Sequence, residues 1–352
     1  MKRLQVFLLL LVAPLIIIAQ TDSTDIIVKN LMQKQKIVGM SLAVLKNGKI
    51  LVNKGYGWAN AELNVAAKPE TVFRLGSISK QFFTTAILVL QQDGLLSIED
   101  SIHRFFPDAP ETWRPIQLKH LMSHSSGLKR ESPVYDNFKT ISDLEIIKAA
   151  YPLALDFKTG EKYQYCNLGY YIIAQIITQV SGKKWDQYIH EKLFVPAGMN
   201  NSYLTDFYDI IPNRASGYVY WKDTLLNATS MFAIRPSGGF LSTTTDMIKW
   251  DKVLRKKNII LKQESWEKLW QPFIKTSDKP GSKIYYGFGW TVDEFNGRKM
   301  VSHSGSNIGF KTHYSRFVDD ELSIIILSNT ENASPALIIN ELAAYYLRKK
   351  VL

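Results

Sequence analysis

Cysteine is almost missing from this chain: Cys166 is the only one in 352 residues, so no internal disulfide can form. Long apolar runs are also scarce, and after residue 19 none approaches membrane-spanning length. There is no Gly-x-Ser-x-Gly, no phosphate-binding P-loop and no dinucleotide Gly-x-Gly-x-x-Gly, which argues against the ordinary α/β-hydrolases and nucleotide enzymes. Internal repeats and low-complexity linkers are lacking too, so nothing marks a second module. Acidic residues (32) are outnumbered by basic ones (43), giving a formal charge of +11. The basic residues are scattered, with short clusters only at Arg255-Lys256-Lys257 and Arg348-Lys349-Lys350, which is not the stripe of a nucleic-acid partner. A solvated surface that favours an anionic cell envelope or acidic substrates is the milder reading.

What is present begins with an export signature. Met1-Lys2-Arg3-Leu4-Gln5 is a basic start, and Val6 to Ala19 is an apolar segment too short for a comfortable membrane span. Residues 1–20 are expected to be a signal peptide cut after Ala19 or Gln20. Ile17 is bulkier than the cleavage position prefers, so an uncleaved anchor is the alternative. Removing 1–20 takes away Lys2 and Arg3 and leaves a formal charge of +9 against the +11 of the whole chain. No cysteine follows the apolar segment to accept a lipid. The mature chain is thus expected in the periplasm or outside the cell, without an integral membrane segment, and able to associate with the envelope.

Residues 21–352 read as one domain with two lobes. Ile26 to Lys36 is expected to be a short amphipathic helix, followed by a hairpin of Val38–Lys46 and Lys49–Trp58 around Asn47-Gly48. Lys80–Gln92 is apolar enough for a buried helix ended by Gly94, and Gly169–Ser181 forms a second, stopped by Gly182. Strands are expected at Tyr286–Val292, Met300–His303, Phe310–Phe317 and Leu322–Ser328, the last buried on both faces. A closing helix starts at Pro335 after Ser334 and turns Ile338, Leu342 and Tyr345 to one side. The result is an α+β sandwich: an antiparallel sheet from both ends of the chain (about 24–80 and 230–352), flanked by helices, with a mostly helical lobe (about 81–229) inserted.

Three short motifs can carry chemistry. Ser77-Ile78-Ser79-Lys80 puts a hydroxyl and an amine on one helical face at the start of a buried helix, where the amine eases deprotonation of the hydroxyl and the helix N-terminus favours negative charge. Alone, the same spacing also describes a solvated polar face. Tyr165 and Asn167, two apart in an extended loop, point one way: the phenol can exchange protons if a neighbouring ammonium lowers its pKa from about 10, and the amide can hold a substrate carbonyl. The bland reading is an aromatic packing loop, with Cys166 facing the other side as a buried, unactivated thiol. His303-Ser304-Gly305-Ser306 ends a strand whose edge can take a substrate as an added strand, the Ser306 N–H serving as oxyanion donor.

In that order, and with the phrases Leu118 to Leu128, Leu193 to Met199, Ala215 to Tyr218 and Ser237 to Thr243, the chain resembles the class C type β-lactamases, serine D-alanyl-D-alanine carboxypeptidases (penicillin-binding proteins), D-aminopeptidases and related esterases. The resemblance covers residues 25 to 350. It implies a β-lactamase/transpeptidase-like fold and an acyl-enzyme hydrolase needing no cofactor: Ser77 as nucleophile, Lys80 and Tyr165 sharing base and acid duties, Asn167, His303, Ser304, Gly305 and Ser306 binding substrate, and the Ser77 and Ser306 N–H groups as oxyanion hole. Lys158-Thr159-Gly160 spells a related motif but precedes Tyr165. The matching position is His303-Ser304-Gly305, and a histidine, largely neutral near pH 7, attracts a carboxylate less than lysine does. That shifts the expectation from β-lactams toward peptides containing D-amino acids, with an esterase or weak β-lactamase as alternative and a non-catalytic penicillin-binding envelope protein as the alternative of another class. His120 and His124, four apart, could form half a metal site on a helix, but no third ligand is spaced for it, so no metal is expected.

Overall fold

Asn47 (φ 50°) and Gly48 (φ 76°) both take the left-handed conformation that a two-residue hairpin demands, joining β1 (Gly39–Lys46) to β2 (Lys49–Asn60). The computed structural model describes residues 23–204, 209–228, 235–256 and 258–348. The expected export segment, 1–20, lies outside them. Helix α1 (Ser23–Gln35) precedes the hairpin, and β3 (Val65–Ala66) and β4 (Phe73–Arg74) follow it. The inserted lobe is built on α2 (Lys80–Gln92), α3 (Leu118–Met122), α4 (Asp143–Lys148) and α5 (Leu168–Ser181). It also carries β5 (Tyr203–Leu204) and a hairpin of β6 (Tyr218–Trp221) and β7 (Thr224–Asn227). Two stretches without helix or strand, 123–142 and 149–167, run between α3, α4 and α5, so the lobe is less uniformly helical than its apolar pattern suggests.

The chain then returns through β8 (Phe240–Ser242), which pairs with β4 and β5. Helix Thr244–Arg255 leads toward β9 (Ile274–Lys275), β10 (Tyr285–Tyr286), β11 (Thr291–Phe295), β12 (Arg298–Asn307), β13 (Phe310–Phe317) and β14 (Leu322–Ser328). The main sheet has nine strands in the order β3-β2-β1-β14-β13-β12-β11-β10-β9, antiparallel throughout. Its centre joins the two ends of the chain, with Met40 opposite Ser328 and Lys46 opposite Leu322.

Every residue of β14 is buried, as the apolar run Ile324–Leu327 at its centre predicts. Ile325 and Leu327 face the core shared with α2 and α5, while Ile324 and Ile326 face a second core under α1 and the closing helix Pro335–Arg348. Two details differ from expectation. The strand expected at Tyr286–Val292 is broken after Tyr286 by a turn in which the Gly287 N–H donates to the Trp290 carbonyl at 2.8 Å. On the closing helix the buried tyrosine is Tyr346, whose hydroxyl lies 2.6 Å from Thr24 of α1, whereas Tyr345 is only partly covered. No helix among the described residues is long and apolar enough to cross a membrane.

Candidate active site

Ser77 sits in a 3-10 turn, Gly76–Ser79, that runs directly into α2. In such a turn i and i+3 eclipse, so Ser77 and Lys80 are stacked more directly than on an α-helix. Lys80 Nζ lies 3.2 Å from Ser77 Oγ. The first eleven residues of α2 are buried, with Phe82 wedged edge-on against Phe194, Phe240 and Trp250 at 5.0, 5.6 and 5.0 Å between ring centres. That aromatic packing anchors the helix and fixes Lys80, which is fully buried.

Lys80 has two further partners, Asn167 Oδ1 at 2.9 Å and the Ser237 carbonyl at 2.6 Å. Burial pulls its pKa from 10.5 to about 7, against the opposing pull of Glu131, while Arg130 lowers it further. A neutral amine has two N–H donors and one lone pair. With the donors on Asn167 and Ser237, the lone pair is left for the Ser77 hydroxyl proton.

The 149–167 stretch turns Tyr165 and Asn167 into the same cleft, while Cys166 points away, its thiol donating to the Lys129 carbonyl. Tyr165 shares a hydrogen bond with Ser77, and its ring lies 4.8 Å from Lys80 Nζ and 4.2 Å from the His124 ring. Its phenol is pushed above the ordinary tyrosine value by burial, with the Ser77 hydrogen bond opposing. The expectation that a neighbouring ammonium lowers it is therefore reversed in direction: Tyr165 is a neutral phenol, poised to donate. Asn167 is committed inside the protein, its Nδ2 donating to Glu131 Oε1 at 2.5 Å as its Oδ1 receives Lys80.

On the opposite wall, β12 leaves β11 after Ser302 and presents 303–307 to the cleft. Gly305 lets it approach: a Cβ there would sit 1.9 Å from the Leu75 carbonyl oxygen and 2.2 Å from Thr312 Oγ1. The same closeness leaves the Ser306 amide nitrogen 2.5 Å from where a Cβ on Gly76 would be. Ser306 Oγ accepts from Lys311 Nζ at 2.7 Å, and Ser304 is exposed on the cleft side. His303 is buried and held neutral. Burial takes its pKa from 6.5 to about 3, its Nδ1–H donates to the Ser304 carbonyl at 2.7 Å, and its Nε2 accepts from the Tyr286 hydroxyl at 2.8 Å. It shapes the cleft wall and carries no charge to attract an anion.

The cleft measures about 520 Å³ and is bordered by Ser77, Tyr165, Asn167, His303, Ser304 and Ser306 of the expected set. It also holds Arg130, Glu131, Tyr135 and Asn137, from the irregular stretch between α3 and α4, where no sequence motif marks a site. Glu131 is the notable omission: burial raises its carboxyl above the usual range, and its Oε2 has no hydrogen-bond partner. A single acidic residue in a non-periodic loop gives no pattern to find it by.

The remaining candidates have local roles. His120 and His124 do not share a helical face, because α3 ends at Met122 and His124 is left-handed (φ 60°). Each uses Nδ1 to accept a backbone N–H, from Gln117 at 3.1 Å and from Cys166 at 3.0 Å. Among the described residues no cluster of three or more His, Cys, Asp or Glu is arranged to hold a metal ion. Lys158-Thr159-Gly160 forms part of a loop pinned by Thr159 Oγ1 to the Ser126 carbonyl and by the Gly160 N–H to the Ser125 carbonyl. Cys166 is buried and its thiol pushed up to about 12.

Comparison with known proteins agrees with this architecture. Penicillin-binding protein 4* of Bacillus subtilis (strain 168) is 30% identical over 323 residues, spanning 85% of this chain and 69% of that protein. The octameric penicillin-binding protein homologue from Pyrococcus abyssi superposes with a TM-score of 0.84 at 29% identity, over 93% of this chain and 77% of that one. D-amino acid amidase from Ochrobactrum anthropi SV3, complexed with D-phenylalanine, shares the fold with a TM-score of 0.80 at 20% identity, over 93% and 99% of the two chains. Residues 25–347 match the family described as Beta-lactamase, a span that begins inside α1 and closes inside the final helix. Both halves of the sheet and the inserted lobe fall within that match, and the chain belongs to the beta-lactamase family of serine hydrolases.

Proposed function

We propose that this chain is an exported hydrolase that opens amide or ester bonds through an acyl-Ser77 intermediate, with small peptides or amides of D-amino acids as its leading substrates. The observation that carries the reading is the fully buried Lys80 amine, 3.2 Å from Ser77 Oγ, with its other two partners both acceptors. Ser77 Oγ attacks the carbonyl carbon as its proton passes to neutral Lys80, and a C–O bond forms while the carbonyl pair moves to oxygen. The oxyanion would rest on the Ser77 and Ser306 N–H groups. When the C–N or C–O bond breaks, Tyr165 gives its proton to the leaving group and is reprotonated from Lys80, and water then repeats the sequence on the acyl-enzyme.

The D-amino acid direction draws support from the names of the relatives, penicillin-binding protein 4* and D-amino acid amidase. Neutral His303 argues against a β-lactamase that steers its substrate by a charge at this position. Export rests on the basic and apolar start, residues 1–20.

Covalent labelling tests the centre of the reading. A fluorescent penicillin or fluorophosphonate should tag the wild-type protein and not Ser77→Ala; a label that survives in Ser77→Ala removes Ser77 as nucleophile. Tyr165→Phe should still fold yet turn over about 100- to 10,000-fold more slowly, the range for lost acid–base groups. A panel of a D-alanyl-D-alanine peptide, a D-amino acid amide, a nitrophenyl ester and a chromogenic cephalosporin then ranks the substrate classes.

A further inference from the structure

The cleft carries a charge balance opposite to that of the whole chain. Basic residues outnumber acidic ones, 43 to 32, over the sequence. Yet of the Asp, Glu, Lys and Arg side chains that border the cleft among the described residues, two are carboxylates, Glu131 and Glu331, and one is a cation, Arg130. Arg130 and Glu131 are neighbours, Nε 3.9 Å from Oε1, and offset one another. His303 is neutral, and Lys80, buried behind Ser77, is neutral when it serves as base. The charge left over is that of Glu331.

Glu331 follows β14 and is tied at both ends. Its N–H donates to the Tyr218 carbonyl of β6 at 2.9 Å, and its Oε2 accepts the Gly309 N–H at 2.9 Å, in the turn between β12 and β13. That turn is itself packed, since a Cβ on Gly309 would stand 2.7 Å from Ala228 Cβ and 2.8 Å from Gly217 Cα. The residue is partly exposed, and among the described residues no lysine or arginine forms an ion pair with it. One backbone N–H leaves most of a carboxylate's acceptor sites open. A rival cation stands on β13: Lys311, opposite Ser306 in register, donates to Ser306 Oγ at 2.7 Å and does not itself border the cleft.

A space of about 520 Å³ is about 8 Å across, no wider than the screening length at physiological salt. A charge anywhere on a bound substrate therefore feels Glu331. A free carboxylate meets like charge with no unpaired cation on the walls to offset it, whereas an ammonium gains a charge-assisted hydrogen bond. We propose that Glu331 selects substrate by charge, admitting amides that carry a free amine and turning away those with a free carboxylate. The inference rests on the acyl-Ser77 reading and narrows it, from D-peptides in general to amides of unblocked amino acids and away from carboxypeptidase and β-lactam substrates, which both present a carboxylate.

Three 4-nitroanilides of D-alanine release the same nitroaniline from the same bond and differ in charge: the free amine, the N-acetyl and the N-succinyl derivative. Near neutral pH, wild-type kcat/KM should favour the free amine over the succinyl compound by about 10-fold or more, the scale of one charge-assisted hydrogen bond against one like-charge contact. Glu331→Gln, which can still accept the Gly309 N–H, should bring that ratio to within about threefold of one, and Glu331→Lys should reverse it. Each ratio is taken within one protein, so general damage to the fold cancels from it. A wild-type preference for the succinyl compound, or an unchanged ratio in Glu331→Gln, overturns the proposal. So does a ratio that responds to Glu131→Gln or Lys311→Gln and not to Glu331→Gln. A second arm does not depend on turnover: D-phenylalaninamide and its N-acetyl derivative are titrated calorimetrically into Ser77→Ala and into Ser77→Ala/Glu331→Gln. Tighter binding of the free amine by the first protein, lost in the second, supports Glu331 as selector; equal binding of the two amides, or no binding of either, overturns it. Failure of Ser77 labelling while this amine preference persists would strike the acyl-enzyme reading alone.

Discussion

Lowering the pH through 7 should switch Ser77 off by loading a proton onto Lys80. The amine falls from an ordinary 10.5 to about 7, chiefly because burial disfavours its charged form. Only the neutral amine has a lone pair for the Ser77 proton, so acylation should plateau above about pH 8. It should fall to about a tenth of the plateau at pH 6 and about a hundredth at pH 5. The assay is the second-order rate of fluorophosphonate labelling, which reads attack by Ser77 without the deacylation step. The neighbours give the sign of two further shifts. Glu131 raises the Lys80 pKa, so Glu131→Gln should move the acid limb to lower pH; Arg130 lowers it, so Arg130→Gln should move the limb up. The Arg130→Gln shift should be less than about one pH unit, since the Arg130 side chain is 62% exposed and screened by solvent. A limb that is lost in Glu131→Gln would transfer the base role to that carboxylate, whose pKa burial raises above the usual carboxyl range. A limb near pH 10 would mean that Lys80 is an ordinary solvated ammonium, and either result refutes the argument from burial.

Other consequences are structural. Gly305→Ala would push a methyl group into the buried Leu75 carbonyl and Thr312 hydroxyl, so urea unfolding should show a loss of about 1–3 kcal/mol together with slower labelling of Ser77; an unaltered midpoint would mean that β12 is free to move aside. Asp251 receives Tyr314 and Ser323 hydroxyls at 2.6 Å each and Arg316 Nε at 2.9 Å, all buried, so Asp251→Asn should lower stability by about 3–5 kcal/mol, and a loss under 1 kcal/mol would show that the network adds little. The Cys166 thiol, buried and raised to about 12, should resist a thiol reagent in the native protein and react once unfolded; rapid native reaction would contradict its burial.

The parts of the molecule legible in the sequence are those where one physical rule dominates a short stretch. Asn47-Gly48 announces its turn through backbone sterics, and Lys80–Gln92 and Leu322–Ser328 announce burial through the apolar runs Ala86–Leu90 and Ile324–Leu327 at their centres. Ser77, Lys80, Tyr165, Asn167 and the 303–306 strand could be named because each motif is local, and the structure brings them around one cleft. What stayed hidden depends on contacts between distant loops. The Arg130 carbonyl accepts the N–H groups of Asn167 and Leu168, and that pairing, across more than 35 positions, carries Glu131 to the Asn167 amide. His303 could be recognised as weakly charged, but Tyr286 reaches its Nε2 from two strands away, across β11. The Tyr165 phenol was expected to be lowered by a nearby ammonium because charge is visible in a sequence and desolvation is not; burial decides its direction.

The pairing of Met40–Lys46 with Leu322–Ser328 also governs when this protein can exist at all. Its central strand waits for a partner made almost three hundred residues later, and until then both cores lack a wall. A chain of such high contact order folds late and slowly. On the proposed export route this order matters: a nascent chain stays threadable while its last strand is missing, and the cleft, whose far wall is β12, cannot be complete before residues 298–307 are made. That timing follows from the strand order itself.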